Sequence, residues 1–219
     1  MYLIAVLGFD ERHVIRSLLR LGFKNVDVIY LVVPSGRITK QTEEAIKRIT
    51  EVAKLANVSD VKVFEVDPLG FGSAVAKLRK LIIDLCSGGK DLVISLGGGM
   101  RVLIVETLVA SLLVPKELSS HILVVVDLES GEGYIEVNIS SILTISELKL
   151  DELQVLKYLL TKAPAGPTEI SKTLGIPKTT VWKILKKLHA KELVTKQYRE
   201  YKASDTGGRL KELLMELLR

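Results

Sequence analysis

Short runs of Val, Ile and Leu alternate with amphipathic stretches over the first two-thirds of the chain. Residues Tyr2 to Leu7, Val26 to Val33, Val61 to Val66 and Leu92 to Ile94 are rich in apolar side chains, the pattern of parallel strands buried on both faces. Between them, Glu11 to Leu21, Lys40 to Ala56, Ser73 to Leu85 and Arg101 to Val114 carry their apolar residues at helical spacing. The repeated strand–helix unit predicts an α/β domain with a Rossmann-like, doubly wound sheet. Two more strand runs, Ile122 to Val126 and Tyr134 to Val137, flank Ser130-Gly131-Glu132-Gly133. A tight, glycine-containing connection predicts an antiparallel hairpin partner, hence a mostly parallel six-stranded sheet.

After a soft boundary between Ser140 and Lys149 the pattern turns helical. Leu153, Leu156, Leu159 and Leu160 mark a helix that Ala163-Pro164-Ala165-Gly166-Pro167 stops. Thr168 is expected to cap a second helix, Glu169 to Leu174, which Gly175 ends. Pro177 opens a longer third helix to Ala190. Two strand runs, Val194 to Tyr198 and Tyr201 to Ser204, flank Arg199-Glu200 as a wing, and an amphipathic helix from Arg209 to Leu218 closes the sequence. The expected division is 1–145 for the α/β domain and 146–219 for a winged helix-turn-helix.

The charge is unevenly spread. The 219 residues carry a net charge of +5. Residues 151–219 hold 14 Lys+Arg against 8 Asp+Glu, leaving 17 against 18 in the first 150. The excess positive charge thus coincides with the helix-turn-helix, as a nucleic-acid reader requires. In that module Ile170, Leu174, Ile176, Val181, Ile184, Leu185 and Leu188 share a core face. Lys178, Thr179 and Thr180, at the start of the third helix, are placed to reach base edges in a major groove, with Thr168 nearby. Lys183, Lys186, Lys187 and the wing residues Lys196, Arg199 and Lys202 are placed to touch phosphate, giving affinity without sequence information. Trp182 is expected to pack and His189 to favour the helix end. The alternative for this module is a protein-interaction domain.

The candidate ligand chemistry lies in Ser95-Leu96-Gly97-Gly98-Gly99-Met100-Arg101, which follows the fourth strand run and precedes a helix. Three glycines there let backbone N–H groups approach an anion that the helix dipole and Arg101 also attract. Ligands of open α/β sheets bind beyond the C-terminal strand ends, where strand order reverses. Gly8, Phe9, Asp10 and Arg12 after the first strand, and Ser35, Gly36 and Arg37 after the second, are therefore the other candidates. Asp10 has a helix-capping role as its alternative, and Arg37 a merely solvated one. Gly70 to Val75 reads as the start of a helix, since it lacks the final glycine of a dinucleotide fingerprint. No phosphate-binding Gly-x-x-x-x-Gly-Lys motif, nucleophile elbow or metal-ligand spacing among His13, His121 and His189 is present. Catalysis and a cofactor are not expected. The single cysteine, Cys86, excludes an internal disulfide, which points to a buried thiol in a reducing, cytoplasmic setting. Met1 to Leu7 reads as a first strand rather than a signal peptide, and Val102 to Val114 is too short and polar to cross a bilayer.

Gly8-Phe9-Asp10 after the first strand, Ser95 to Arg101 after the fourth and a winged helix-turn-helix behind them resemble archaeal CRISPR-associated transcriptional regulators with a CARF (CRISPR-associated Rossmann fold) domain. The resemblance covers nearly the whole chain. It implies a homodimer joined mainly through its CARF domains, with a two-fold pocket for a cyclic oligoadenylate, above all cyclic tetra-adenylate. It also implies duplex DNA at CRISPR-related promoters or leaders as a partner. Two alternatives accompany it: a regulator answering to another nucleotide, and a CARF domain that cleaves its own ring. The RNase branch of these proteins carries Arg and His separated by four to six residues, and neither His121 nor His189 has such an arginine upstream.

Overall fold

The computed structural model describes residues 1–128, 133–208 and 210–218. They fall into two compact units, Met1–Ser140 and Ser141–Arg219. The first contains β1 (Tyr2–Val6), α1 (Arg12–Leu21), a 3-10 turn at Phe23–Asn25, β2 (Val28–Pro34), α2 (Lys40–Leu55), β3 (Asp60–Val66) and α3 (Phe71–Cys86). It continues with β4 (Leu92–Ser95), α4 (Arg101–Leu112), α5 (Lys116–Ser119), β5 (Ile122–Asp127) and β6 (Tyr134–Asn138). The sheet order is β3-β2-β1-β4-β5-β6, with β1 to β5 mutually parallel and β6 antiparallel to β5. This is the Rossmann-like sheet that the apolar runs predict. The connection expected through Ser130, Gly131 and Glu132 lies outside the described residues.

Strand order reverses between β1 and β4, which pair from Tyr2 with Leu92 to Ala5 with Ser95. These central strands are the most apolar because they are covered on both faces. Leu3 to Leu7 are wholly buried, as are Leu92, Ile94 and Ser95. One sheet face packs Leu3, Ala5, Ile29, Leu31 and Val33 against Val14 and Leu18 of α1 and Ala45, Ile49 and Ala53 of α2. Each such Leu, Ile or Val contributes roughly 1.5–3 kcal/mol on burial. The edge strand β3 is largely exposed instead. Cys86 is buried as its neighbours suggested, and burial pushes its thiol up to about 11. The short α5 and the 3-10 turn have no counterpart in the periodicity.

The second unit takes its first residues from α6 (Ile139–Ser146), a helix in the stretch read as a connector. It continues with α7 (Leu150–Lys162), α8 (Pro167–Leu174), α9 (Lys178–Ala190), β7 (Val194–Gln197), β8 (Glu200–Ala203), α10 (Asp205–Gly208) and α11 (Lys211–Leu217). Helix α8 starts earlier than the Thr168 cap predicts: Gly166 is the N-cap and Pro167 the first helical residue, so Thr168 lies within the first turn. Gly175, at φ 69°, ends it in the left-handed conformation. Val155, Leu156 and Leu159 of α7 meet Ile170, Val181, Leu185, Leu188 and Tyr201 in one core. The wing hairpin turns at Tyr198-Arg199, with Gln197 opposite Glu200 and Tyr198 at φ 54°.

Candidate ligand cleft and nucleic-acid face

In the first unit the loops leaving β1 and β4 meet at the switch point. Gly8, Phe9, Asp10 and Arg12 line a cleft of about 240 Å³ together with Gly97, Gly98 and Gly99. The loops touch because both lack side chains there. A Cβ on Gly8 would lie 3.0 Å from the Gly99 backbone, and one on Gly99, itself at φ 95°, 2.7 Å from Val6 Cγ1.

The structure adds His13, Arg16, Asp127 and Leu128 to this cleft. None stood out in the sequence. His13 and Arg16 are one turn apart on α1, directly behind the first loop, while Asp127 ends β5 beside β4. The switch-point rule, extended to the neighbouring strand end, would have found them. His13 Nε2 lies 2.9 Å from the Val6 carbonyl oxygen. A carbonyl only accepts, so Nε2 carries the proton and Nδ1 keeps a lone pair. Burial lowers the His13 pKa and keeps the ring neutral.

Several predicted ligand residues are placed otherwise. Ser95 belongs to β4, is wholly buried and hydrogen-bonds Ser17 Oγ at 3.0 Å, and Leu96 is buried beside it, so neither side chain reaches the cleft. Ser35, Gly36 and Arg37 follow β2 and do not line it. Met100 and Arg101 sit at the start of α4, Arg101 exposed and also outside the lining. Arg12 lines the cleft but is tied to Asp10, whose Oδ2 accepts from Arg12 Nε at 2.6 Å and whose Oδ1 accepts from the Arg12 backbone N–H at 2.8 Å. Asp10 is not the cap, since Glu11 is the N-cap of α1 and no side-chain cap hydrogen bond is made there; the Arg12 hydrogen bonds hold the Asp10 carboxyl at about 2. Arg16 has no ion pair among the described residues, which makes it the cation of the cleft that is open to an anion.

In the second unit a groove of about 850 Å³ runs between α9 and the wing. It brings together the predicted Thr168, Lys178, Thr179, Lys183, Lys196 and Arg199 and adds Trp182, Tyr198 and Tyr201. Trp182 is a correction: it is 47% exposed rather than packed, because α9 directs Val181, Ile184, Leu185 and Leu188 inward. Its ring carries the Lys186 ammonium 3.8 Å from the centroid. Lys187 is a second correction. Its Nζ donates to Glu152 Oε1 and Oε2 at 2.7 and 2.8 Å, so it ties α9 to α7 rather than standing open to phosphate. Burial alone would raise the Glu152 carboxyl, yet hydrogen bonds from Lys187 and the Lys149 N–H bring it below its ordinary value. Lys202 pairs with Thr195 on the side of the wing facing His189, away from the groove, since strand residues alternate faces. Thr180 is half-buried and outside the groove lining. His189 does more than favour the helix end, with Nδ1 2.9 Å from the Val194 carbonyl.

No cluster of His, Cys, Asp and Glu among the described residues is arranged to hold a metal ion. No helix among them is long and apolar enough to cross a membrane.

A mostly parallel six-stranded sheet with a glycine-lined cleft at its switch point, followed by a winged helix, is the architecture of a Rossmann-like domain joined to a regulator-type domain. The chain belongs to the family of the Csa3 CRISPR-associated Rossmann-like domain, which matches residues 1–138. Residues 143–206 match the sugar-specific transcriptional regulator TrmB, which agrees with the winged helix observed there. Comparison with curated protein sequences gives no match. Among solved structures, Csm6 of Enterococcus italicus bound to cyclic hexa-2'-fluoro-hexa-dAMP aligns with 99% of this chain and 53% of its own, at 8% identity and a TM-score of 0.51. Can2 from Sulfobacillus thermosulfidooxidans in complex with cyclic tetra-adenylate aligns over 99% and 65%, at 8% identity and a TM-score of 0.44. The chain thus spans between half and two-thirds of these proteins, and the likeness to Csm6 concerns the fold alone.

Proposed function

We propose that this protein is a ligand-responsive transcriptional regulator of CRISPR-associated genes, in which the Rossmann-like domain binds a cyclic oligoadenylate and the winged helix binds duplex DNA. The observation that carries the reading is the glycine cradle of Gly8 and Gly97 to Gly99 at the β1/β4 switch point, in the same chain as a basic groove on a winged helix. The donors suit a nucleotide: backbone N–H groups of the glycine turn and Arg16 would hold phosphate, with Arg101 at the head of α4 as a further candidate. Csm6, which shares the fold, was solved with a cyclic adenine-nucleotide ring. Cyclic tetra-adenylate is the ring we propose, on the family resemblance.

One cleft of about 240 Å³ falls below the roughly 300–1,000 Å³ of pockets that enclose drug-sized ligands. A ring of four nucleotides would have to lie across it and draw on a second copy, which favours a two-fold homodimer. Val105 and Leu113, at the surface of α4 and just after it, are 51% and 53% exposed and offer apolar area for such a contact. On the DNA side, Lys178 and Thr179 would meet base edges, and Lys183, Lys196 and Arg199 phosphate. Thr180, Lys186, Arg37 and Ser35 take no part in this reading.

Titration of the full chain with cyclic tetra-adenylate and, separately, with AMP and ATP tests the sensor by calorimetry. Tight binding of the ring with a stoichiometry of one per two chains supports it. Binding of a simple nucleotide instead supports a regulator of another ligand, and recovery of linear fragments after incubation supports ring cleavage. Duplex binding that is absent or independent of salt removes the DNA half of the reading.

A further inference from the structure

The floor of the ligand cleft presents two hydrogen-bond acceptors that nothing among the described residues uses. Asp127 is 9% exposed, and its oxygens differ in their partners. Oδ1 accepts from Arg20 Nη2 at 2.6 Å, and that guanidinium stacks 3.6 Å from the centre of the Tyr134 ring. Oδ2 is buried with no hydrogen-bond partner. Nη1 of Arg20, in the same ion pair, is likewise buried without a partner; such atoms are rare in a folded protein, and a donor from outside the chain would satisfy Oδ2. The second acceptor is Nδ1 of His13, whose Nε2 proton is committed to the Val6 carbonyl.

The glycine turn lies directly against both atoms. A Cβ on Gly97 would stand 2.7 Å from Asp127 Oδ2, and a Cβ on Gly98 2.7 Å from His13 Nδ1. Side chains at these two positions would collide with the two acceptors, so only glycine lets the turn approach them this closely. A phosphate is the wrong group for that floor, because a carboxylate and a lone pair both repel its oxygens. What fits is an N–H or O–H donor.

We infer that Asp127 Oδ2 and His13 Nδ1 are specificity-determining acceptors that read donor groups of the effector, with Arg20 as the positioning residue that fixes Asp127. This rests on the sensor reading above. An adenosine offers two kinds of donor, the exocyclic amine of the base and the ribose 2'-hydroxyl. Phosphate binding then falls to Arg16 and the backbone of the turn, and identity to the floor.

The test is calorimetry on the full-length wild type and on Asp127→Asn with three rings: cyclic tetra-adenylate, its 2'-deoxyribose counterpart and its hypoxanthine counterpart, which lacks the amine. The wild type should bind one substituted ring roughly ten- to a hundredfold more weakly than cyclic tetra-adenylate, the range for losing a hydrogen bond to a charged group. Weakness of the deoxyribose ring assigns the hydroxyl and weakness of the hypoxanthine ring the amine. In Asp127→Asn the difference should shrink to less than about threefold. Should that variant not fold, His13→Asn, which alters the other acceptor, takes its place with the same expectation. Equal binding of all three rings by the wild type overturns this inference while leaving the sensor reading intact, as does undiminished discrimination in a folded variant. If the wild type binds none of the rings, the sensor reading fails and takes this inference with it.

Discussion

The imidazole of His13 fills the space toward which a side chain on Gly98 would project: a Cβ there would stand 2.7 Å from Nδ1 and 2.9 Å from Nε2. The ring cannot swing aside without breaking its hydrogen bond to the Val6 carbonyl. Gly98 is therefore required by the protein's own packing. Gly98→Ala should cost about 1–3 kcal/mol, the usual scale of overpacking. His13→Ala combined with Gly98→Ala should recover much of that loss in thermal unfolding, and a strictly additive double variant would show that the two residues do not compete for space.

His13 also ties stability to pH. Burial lowers its pKa from the unperturbed 6.5, so above that value the ring is neutral in both folded and unfolded chains. Below it the unfolded chain takes up a proton that the folded chain resists, and stability falls as pH drops toward the lowered folded value. The loss attributable to this group is at most about 1.4 kcal/mol per pH unit. Urea unfolding at pH 7.5 and 5.5 should show a larger drop for the wild type than for His13→Gln; parallel drops would remove the assignment.

Glu106 of α4 should behave in the opposite sense. It is wholly buried, neither carboxylate oxygen has a hydrogen-bond partner among the described residues, and burial raises its pKa. As pH rises past the ordinary 4.5, the unfolded chain ionises first and stability is lost until the raised folded value is reached. Glu106→Gln should gain about 1 kcal/mol at pH 8, and the gain should fade near pH 4. A destabilised variant at pH 8 would mean that the carboxylate has a partner.

Two lysines one turn apart on α9 should separate affinity from stability. Lys187→Ala removes the ammonium from a Glu152 side chain that is only 8% exposed and should cost roughly 1–3 kcal/mol, less than a fully buried pair because Lys187 itself is 41% exposed. Lys183→Ala should leave unfolding within about 0.5 kcal/mol and weaken duplex binding across all sequences, lowering the salt slope by about one. An unchanged slope would place Lys183 away from the DNA backbone.

Trp182→Ala should act like a surface change on stability, within about 1 kcal/mol, yet weaken nucleic-acid binding, since the ring lines the groove. A loss above about 3 kcal/mol, the scale of a core Trp→Ala, would return Trp182 to a packing role.

The order of strands and helices in the α/β domain was legible because burial on both faces forces continuous apolar runs such as Leu3 to Leu7, while helices facing one way alternate. The glycine triplet was legible for a related reason: three adjacent residues without side chains stand out in a strand–helix junction. The winged helix could be read from Pro167, Gly175 and Pro177, local breakers whose effect needs no tertiary partner. What remained hidden depends on pairings across long sequence distance. Ser95 looked like a ligand group because its loop continues from the strand, but only the approach of Ser17, 78 residues away, shows it to be interior. Lys187 carries the same charge as Lys183, and only the packing of α7 on α9 sets Glu152 beneath one and not the other. His13 and Asp127, 114 positions apart, enter a single cleft because β1 and β5 flank β4, and neither periodicity nor composition records which strand ends become neighbours. Local sequence therefore determined which segments are strands, helices and turns, since that choice follows from side-chain burial and backbone freedom within a few residues. The assembly of the cleft was decided by sheet order, a long-range property that arises only when the strands pair.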